Sequence, residues 1–146
     1  MRIQLIFLGK TRNAHVRALL DDYQKRIARF SPIEVLEWKT ADGGPWSVAE
    51  ARGKGEAAPV VLLDSGGTAY SSEDFARWLA RKERSGARKL VFLVGGAEGF
   101  ADETKRAADE LLSLGPMTLP HELARVVLLE QLYRAFAFLR DHPYPK

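Results

Sequence analysis

Apolar positions along the chain follow two rhythms: short continuous runs that read as strands, and longer stretches at helical spacing. Arg2 to Leu8 mixes β-branched and aromatic residues and stops at Gly9, which predicts a strand entering the core. After the polar loop Lys10 to Asn13, a helix is expected from about Ala14 to Phe30. Val16, Leu19, Leu20, Tyr23, Ile27 and Phe30 lie on one face, and Arg17, Lys25, Arg26 and Arg29 on the other. Ser31-Pro32 ends it, and Ile33, Val35, Leu36 and Trp38 suggest the second strand. Thr40 to Ala58 holds Gly43, Gly44, Pro45, Gly53 and Gly55, with a short helical candidate at Val48 to Arg52. The greatest mobility is expected there.

Pro59 to Asp64 is a third, buried strand that stops at Gly66 and Gly67. Ser71 or Ser72 caps a helix carrying Phe75, Trp78 and Leu79 inward, and Gly86 suits its end. Leu90 to Val94 is an unbroken apolar run, hence a strand buried on both faces, and it leads into Gly95-Gly96-Ala97-Glu98-Gly99. A helix is expected over Asp102 to Leu114, stopped by Gly115-Pro116, then a short strand at Met117-Thr118-Leu119. Strands alternating with helices predict one α/β domain over residues 1–146, with helices flanking a mostly parallel sheet.

The last helix, His121 to Arg140, breaks the amphipathic pattern. Its apolar residues, among them Val126, Leu129, Leu132 and Phe136, wrap most of its circumference, while Glu130 and Arg134 stand at ion-pair spacing. A helix apolar nearly all round is buried on more than one side. Either it is central to the fold or it also packs against a second subunit; the latter reading favours a homodimer.

Glycines crowd three turns: Ser65-Gly66-Gly67, Gly95 to Gly99, and Leu114-Gly115-Pro116. Loops at the carboxyl ends of parallel strands gather on one edge, where ligands approach bare backbone. A plain strand-to-helix turn would use the same residues. None of these turns is followed by the Gly-Lys-Ser/Thr of a P-loop, and neither their glycine spacing nor a following acid matches a dinucleotide fingerprint, which disfavours a nucleotide-dependent oxidoreductase.

Composition narrows the classes further. With 46% hydrophobic residues the chain can bury a proper core, and without cysteine it has no disulfide, thiolate metal site or cysteine nucleophile. No run approaches the roughly 20 apolar residues of a membrane span and no signal-peptide pattern is visible, so a cytoplasmic protein is expected. The formal charge of +3 permits a polyanionic partner without demanding one. His15, His121 and His142 lack metal-ligand spacing, so no metal is expected. His121 reads first as a polar group near a helix start. His142 and Tyr144 flank Pro143 in a short tail whose restricted motion makes a functional role plausible. Glu98 could orient a ligand or satisfy turn donors, and Arg125, Arg134 and Arg140 could pair with Glu130 or contact phosphate.

Leu93-Val-Gly-Gly-Ala-Glu-Gly99, Met117-Thr-Leu-Pro-His121, Glu130-Gln-Leu-Tyr-Arg-Ala135 and His142-Pro-Tyr144 occur in an order and spacing that resembles the ribosomal RNA large subunit methyltransferase H family. The resemblance extends upstream to Leu63-Asp64 with Ser71 to Ala76, and to Gly9-Lys10 with Tyr23 to Arg26, so it covers essentially the whole chain. It implies a SPOUT-type α/β knot, with a trefoil knot at the carboxyl end, acting as a homodimer. The implied activity is transfer of a methyl group from S-adenosyl-L-methionine to N3 of a pseudouridine in the helix 69 loop of 23S rRNA. The implied substrate is the assembled ribosome, as large subunit or 70S particle. Carried over residue by residue, the cofactor pocket would comprise Leu63, Gly96, Gly115, Pro116, Met117, Thr118, Leu119 and Pro120. His142 and Tyr144 become the catalytic candidates, and the Lys10 to Arg29 region offers charge to RNA phosphate.

Two stretches depart from the family pattern. The family commonly ends His-Pro-Tyr-His-Arg, where this chain has Pro145 and Lys146, and Ala97 stands where proline is frequent. The altered end motivates an alternative, a non-catalytic RNA- or ribosome-binding relative with the same fold.

Overall fold

The computed structural model describes residues 1–39, 46–55 and 57–144. Among these residues the elements run β1 (Arg2–Leu8), α1 (Ala14–Ala28), β2 (Ile33–Trp38), α2 (Val48–Arg52), β3 (Val60–Ala69), α3 (Ser72–Arg84), β4 (Lys89–Val94), α4 (Asp102–Ala107), β5 (Glu110–Ser113) and α5 (His121–Leu139). The five strands form one sheet in the order β2-β1-β4-β3-β5, and every pairing is parallel.

Alternation along the strands divides the core in two. Ile3, Leu5 and Phe7 of β1 with Leu90, Phe92 and Val94 of β4 face the layer of α1, α3 and α5. Ile6 and Leu8 with Val91 and Leu93 face the opposite side, where Val48 and Ala51 of α2 pack. All six residues of β4 are buried, as expected for a central parallel strand. Asn13 caps α1 by accepting from the His15 and Val16 amides, and Ser71 caps α3 by accepting from the Asp74 amide.

The unusual last helix is central. α5 lies between α1 and α3, burying Leu128, Leu129, Leu132 and Phe136 completely. At roughly 1.5–3 kcal/mol for each such side chain, this packing outweighs any amphipathic preference of the helix alone. Stacked Phe30 and Phe136, 6.2 Å between ring centroids, and Tyr23 with Tyr133, at 6.1 Å, fasten α1 and the turn after it to α5. Leu123 and Phe138 remain exposed.

Three expectations need correction. The helix expected over Asp102 to Leu114 stops at Ala107, and Glu110–Ser113 is strand β5. Helical spacing of Leu111 and Leu112 loses to pairing: Leu62 registers with Leu111 and Leu63 with Leu112 at the edge of the sheet. Met117 to Leu119 is accordingly not a strand but open chain leading to α5. Finally, β3 does not stop at its glycines. It resumes, with Thr68 also opposite Leu112, so residues 64–67 form an excursion within the strand. The stretch expected to be most mobile falls partly outside the described residues, at 40–45 and 56; its short helix, α2, is as expected.

Candidate active site

A cavity of about 620 Å³ opens at the carboxyl edge of the sheet. One wall is the β3 excursion with Leu63, Asp64 and Ser65, and the floor is the loop after β4 with Val94, Gly95, Gly96, Ala97 and Gly99. The far wall is Leu114 with Met117 to Pro120, closed by His121 and Ala124 at the start of α5. Met117, 83% exposed, is the most exposed large apolar side chain among the described residues and is part of the cavity lining.

Close backbone approach makes this shape possible. A Cβ on Gly67 would lie 2.5 Å from the Leu111 carbonyl carbon and oxygen, so only glycine lets the excursion return to β5. Gly95 packs its Cα against Phe100, whose ring would meet an added Cβ at 3.3 Å. A Cβ on Gly96 would have only the Leu8 carbonyl oxygen near it, at 3.6 Å. Substituting Gly96 therefore fills the cavity more than it disturbs the fold.

Behind that floor sits Arg125, fully buried. Its guanidinium donates to Thr11 Oγ1 at 2.7 Å and to the Leu8 carbonyl at 3.3 Å, lies 3.7 Å from Glu37, and stacks 4.7 Å above the Phe7 ring centroid. Burial pulls its pKa down while the charges of Glu37 and Glu122 hold it up. Glu37 works against its own desolvation: hydrogen bonds from Thr11 and the charge of Arg17 hold its carboxyl below the usual range. Glu122 accepts from the Asn13 and Arg12 amides at 3.0 and 3.1 Å, and these bonds lower its pKa. The 9–13 loop is thereby fixed against α5, beside the cavity.

The sequence-derived cofactor residues fall largely together. Leu63, Gly96, Met117, Thr118, Leu119 and Pro120 line the cavity. Gly115 and Pro116 do not; Gly115, at φ +130°, shapes the turn behind it, its amide bonded to Ser113 Oγ at 3.1 Å. Asp64, His121 and Ala124 also line it, none of them expected there from the sequence. Asp64 could have been found, as an acid at the end of a buried strand. Glu98 is exposed and lies outside the lining.

His142 and Tyr144 are elsewhere. Asp141, at φ +52°, turns the chain back along α5. Tyr144 stands edge-on to Tyr133 at 4.7 Å, with its hydroxyl 3.1 Å from the Tyr23 hydroxyl and 3.3 Å from Glu130 Oε1. Arg134, ion-paired to Glu130 as the spacing predicts, stacks 4.8 Å above its ring. Burial, the Tyr23 hydrogen bond and the Glu130 charge push the Tyr144 phenol well above its ordinary pKa. The His142 ring packs edge-on to Phe30 at 5.7 Å. These two residues share a smaller cavity of about 380 Å³ with Ser72, Arg134 and Phe138. Neither lines the large cavity, whose α5 members His121 and Ala124 stand at the start of the helix, with Ala124 about 9 Å along it from Glu130. Pro145 and Lys146 lie outside the described residues. Arg140 pairs with Glu83 at 2.8 Å and so is taken up within the fold. Among the described residues no His/Asp/Glu cluster could hold a metal, and no helix is long and apolar enough to cross a membrane.

Comparison with known proteins gives concordant results. The family model described as "Predicted SPOUT methyltransferase" matches residues 1–145. A ribosomal RNA large subunit methyltransferase H from Koribacter versatilis is 40% identical over 146 residues, covering 99% of this chain and 97% of the relative. The protein of the same name from Gemmatimonas aurantiaca is 40% identical over 156 residues, covering both chains completely. Among solved structures, a "probable methylase family protein" from Haemophilus influenzae Rd KW20 superposes with a TM-score of 0.60. It is 12% identical, with 99% of this chain and 72% of that one covered, and shares the fold.

Proposed function

The chain belongs to the SPOUT methyltransferase family, and from that premise we propose that it methylates 23S ribosomal RNA using S-adenosyl-L-methionine. The proposed target is N3 of a pseudouridine in the helix 69 loop, on the assembled ribosome. The observation that carries the reading is the cavity of about 620 Å³ at the carboxyl ends of β3 and β4. Its size is that of a small-molecule site. A floor with no Cβ at Gly96 and open backbone from Leu114 to Pro120 fit a ligand with a flat base and polar edges.

Leu63, Gly96 and Met117 to Pro120 would hold the methyl donor, with Gly115 and Pro116 shaping the turn. When bound, S-adenosyl-L-methionine supplies an electrophilic methyl group. The protein's own task is to orient the base in line and to remove the N3 proton, which leaves nitrogen able to attack. Tyr144, whose raised pKa keeps it protonated, is suited to donate a hydrogen bond to the base. His142 is then the proton acceptor. Since the tail lies along its own α5 rather than at its own cavity, we assign it to the cavity of a second copy in a homodimer. Exposed Leu123, Phe138 and Met117 offer apolar surface for that partner. Lys10, Arg12, Lys25 and Arg29 are exposed and make no ion pair among the described residues, so they are available to RNA phosphates. The trefoil knot of the family and a cytoplasmic location, where ribosomes are, belong to the same proposal.

The test is mass spectrometry of ribosomes carrying the pseudouridine, incubated with protein and methyl donor. A gain of one methyl at that nucleotide is expected. Donor binding by calorimetry without any methylated nucleotide would favour the non-catalytic alternative, and no binding at all would remove the methyltransferase reading.

A further inference from the structure

The cavity that we assign to the methyl donor is lined by backbone and uncharged side chains with one exception. Among the described residues lining it, Asp64 carries the only formal charge, and His121 is the only other titratable group. The Asp64 side chain is only 14% exposed, so its charge requires a partner. Its two oxygens are used differently. Oδ2 accepts from the Gly66 amide at 3.0 Å, a local turn that fixes the orientation of the carboxylate within the β3 excursion. A Cβ on Gly66 would come within 3.1 Å of that oxygen, so glycine there allows the close approach. Oδ1 faces the ammonium of Lys105, 3.3 Å away.

Lys105 belongs to α4, which is short, buries none of its residues and has no side-chain cap. Its ammonium can therefore leave at little cost in packing. Asp64 cannot: it is held by its own turn, between paired segments of β3. The arrangement is a fixed anion at a cavity wall with a displaceable internal cation.

We propose that Asp64 is the charge-reading residue of the cofactor cavity, selecting the cationic methyl donor over its neutral-sulfur product, with Lys105 as the competing internal cation. The inference rests on the methyltransferase reading of the cavity. S-adenosylmethionine carries a sulfonium charge that S-adenosylhomocysteine lacks, and the two are otherwise alike in their polar groups. A carboxylate near that charge favours the donor, and loses its attraction once the methyl group has gone. Because the attraction weakens as the charge disperses, it serves binding and product release rather than the chemical step. Asp64 is thus a specificity residue, expected to act on KM and on product inhibition more than on kcat.

Calorimetry on the full chain tests this with three probes: the donor, S-adenosylhomocysteine, and sinefungin, which has an ammonium near the position of the sulfonium. Asp64→Asn, which keeps an acceptor for the Gly66 amide, should weaken donor and sinefungin about tenfold and the product less than about twofold. Lys105→Met, on an exposed helix, should leave the fold intact and tighten donor and sinefungin by about two- to fivefold. Raising the salt concentration should narrow the donor-to-product ratio in the wild type and leave it unchanged in Asp64→Asn. Parallel losses for donor and product in Asp64→Asn, or weaker donor binding in Lys105→Met, would overturn the inference while the methyltransferase reading stands. Failure of the wild type to bind any of the three probes would overturn both. If Asp64→Asn does not fold, the Lys105→Met affinities decide alone.

Discussion

The two ends of α5 are built by opposite means. At its start, the cavity is shaped by what is missing: no Cβ at Gly96, no room for one at Gly67, and open chain from Leu114 to Pro120. At its far end, the tail is held by what is present: the Tyr144 hydroxyl against Tyr23 and Glu130, its ring against Tyr133 and Arg134. A backbone-built site is broken by adding volume, and a side-chain-built site by removing a polar atom. The first suits a constant ligand such as a cofactor. The second suits a group that must bind, orient and trade protons with a changing substrate.

Substitutions at each end should separate these modes. Gly96→Val is expected to lower methyl-donor affinity by about a hundredfold or more, read by calorimetry. Its thermal unfolding should stay close to wild type, since only the Leu8 carbonyl stands near the new side chain, at 3.6 Å from its Cβ. Unchanged affinity would show that the cavity is not the donor site. At the other end, Tyr144→Phe should cut kcat on ribosomes by about 10²-fold while donor affinity is unaffected. A loss of affinity instead would erase the contrast between the ends.

Gly67→Ala should act on stability rather than on chemistry, costing about 1–3 kcal/mol in denaturant unfolding because the new methyl meets the β5 backbone. A neutral result would mean that the β3 excursion can shift freely. The smallest effect concerns Glu122, whose carboxylate ties the 9–13 loop to the cavity end of α5. Its pKa is lowered in the folded protein by the Asn13 and Arg12 amides. Its contribution is therefore complete at neutral pH and lost as pH falls through the depressed folded value. Glu122→Gln should unfold at a slightly lower temperature at neutral pH, and the difference from wild type should shrink on acidification.

Much of this organisation was legible along the chain. Strand β4 and the glycines after it were evident because a central parallel strand must be apolar on both faces. The caps Ser71 and Asn13 act through adjacent backbone, so Ser71 could be read locally; the tie from Glu122 to the Asn13 amide spans the fold and could not. β5 is hidden in the sequence because Leu111 and Leu112 suit a helix face equally well, and only the free edge of β3 selects the strand. Arg125 offered a choice between ion pair and phosphate contact until the core closed round it and gave it Thr11, Leu8 and Glu37.

The alternation of strands and helices, the glycines of the cavity floor and the ordered motifs that identify the family are all present in the order of the amino acids. Each depends on residue type and spacing over a few positions. Tertiary structure decided what depends on distant segments meeting. It put α5 between α1 and α3, turned Asp64 into a cavity wall through a break in β3 pairing, and laid His142 and Tyr144 along the helix. Such outcomes come from competition for the same buried surface and the same hydrogen-bond partners, and that competition is settled only when the whole chain is folded.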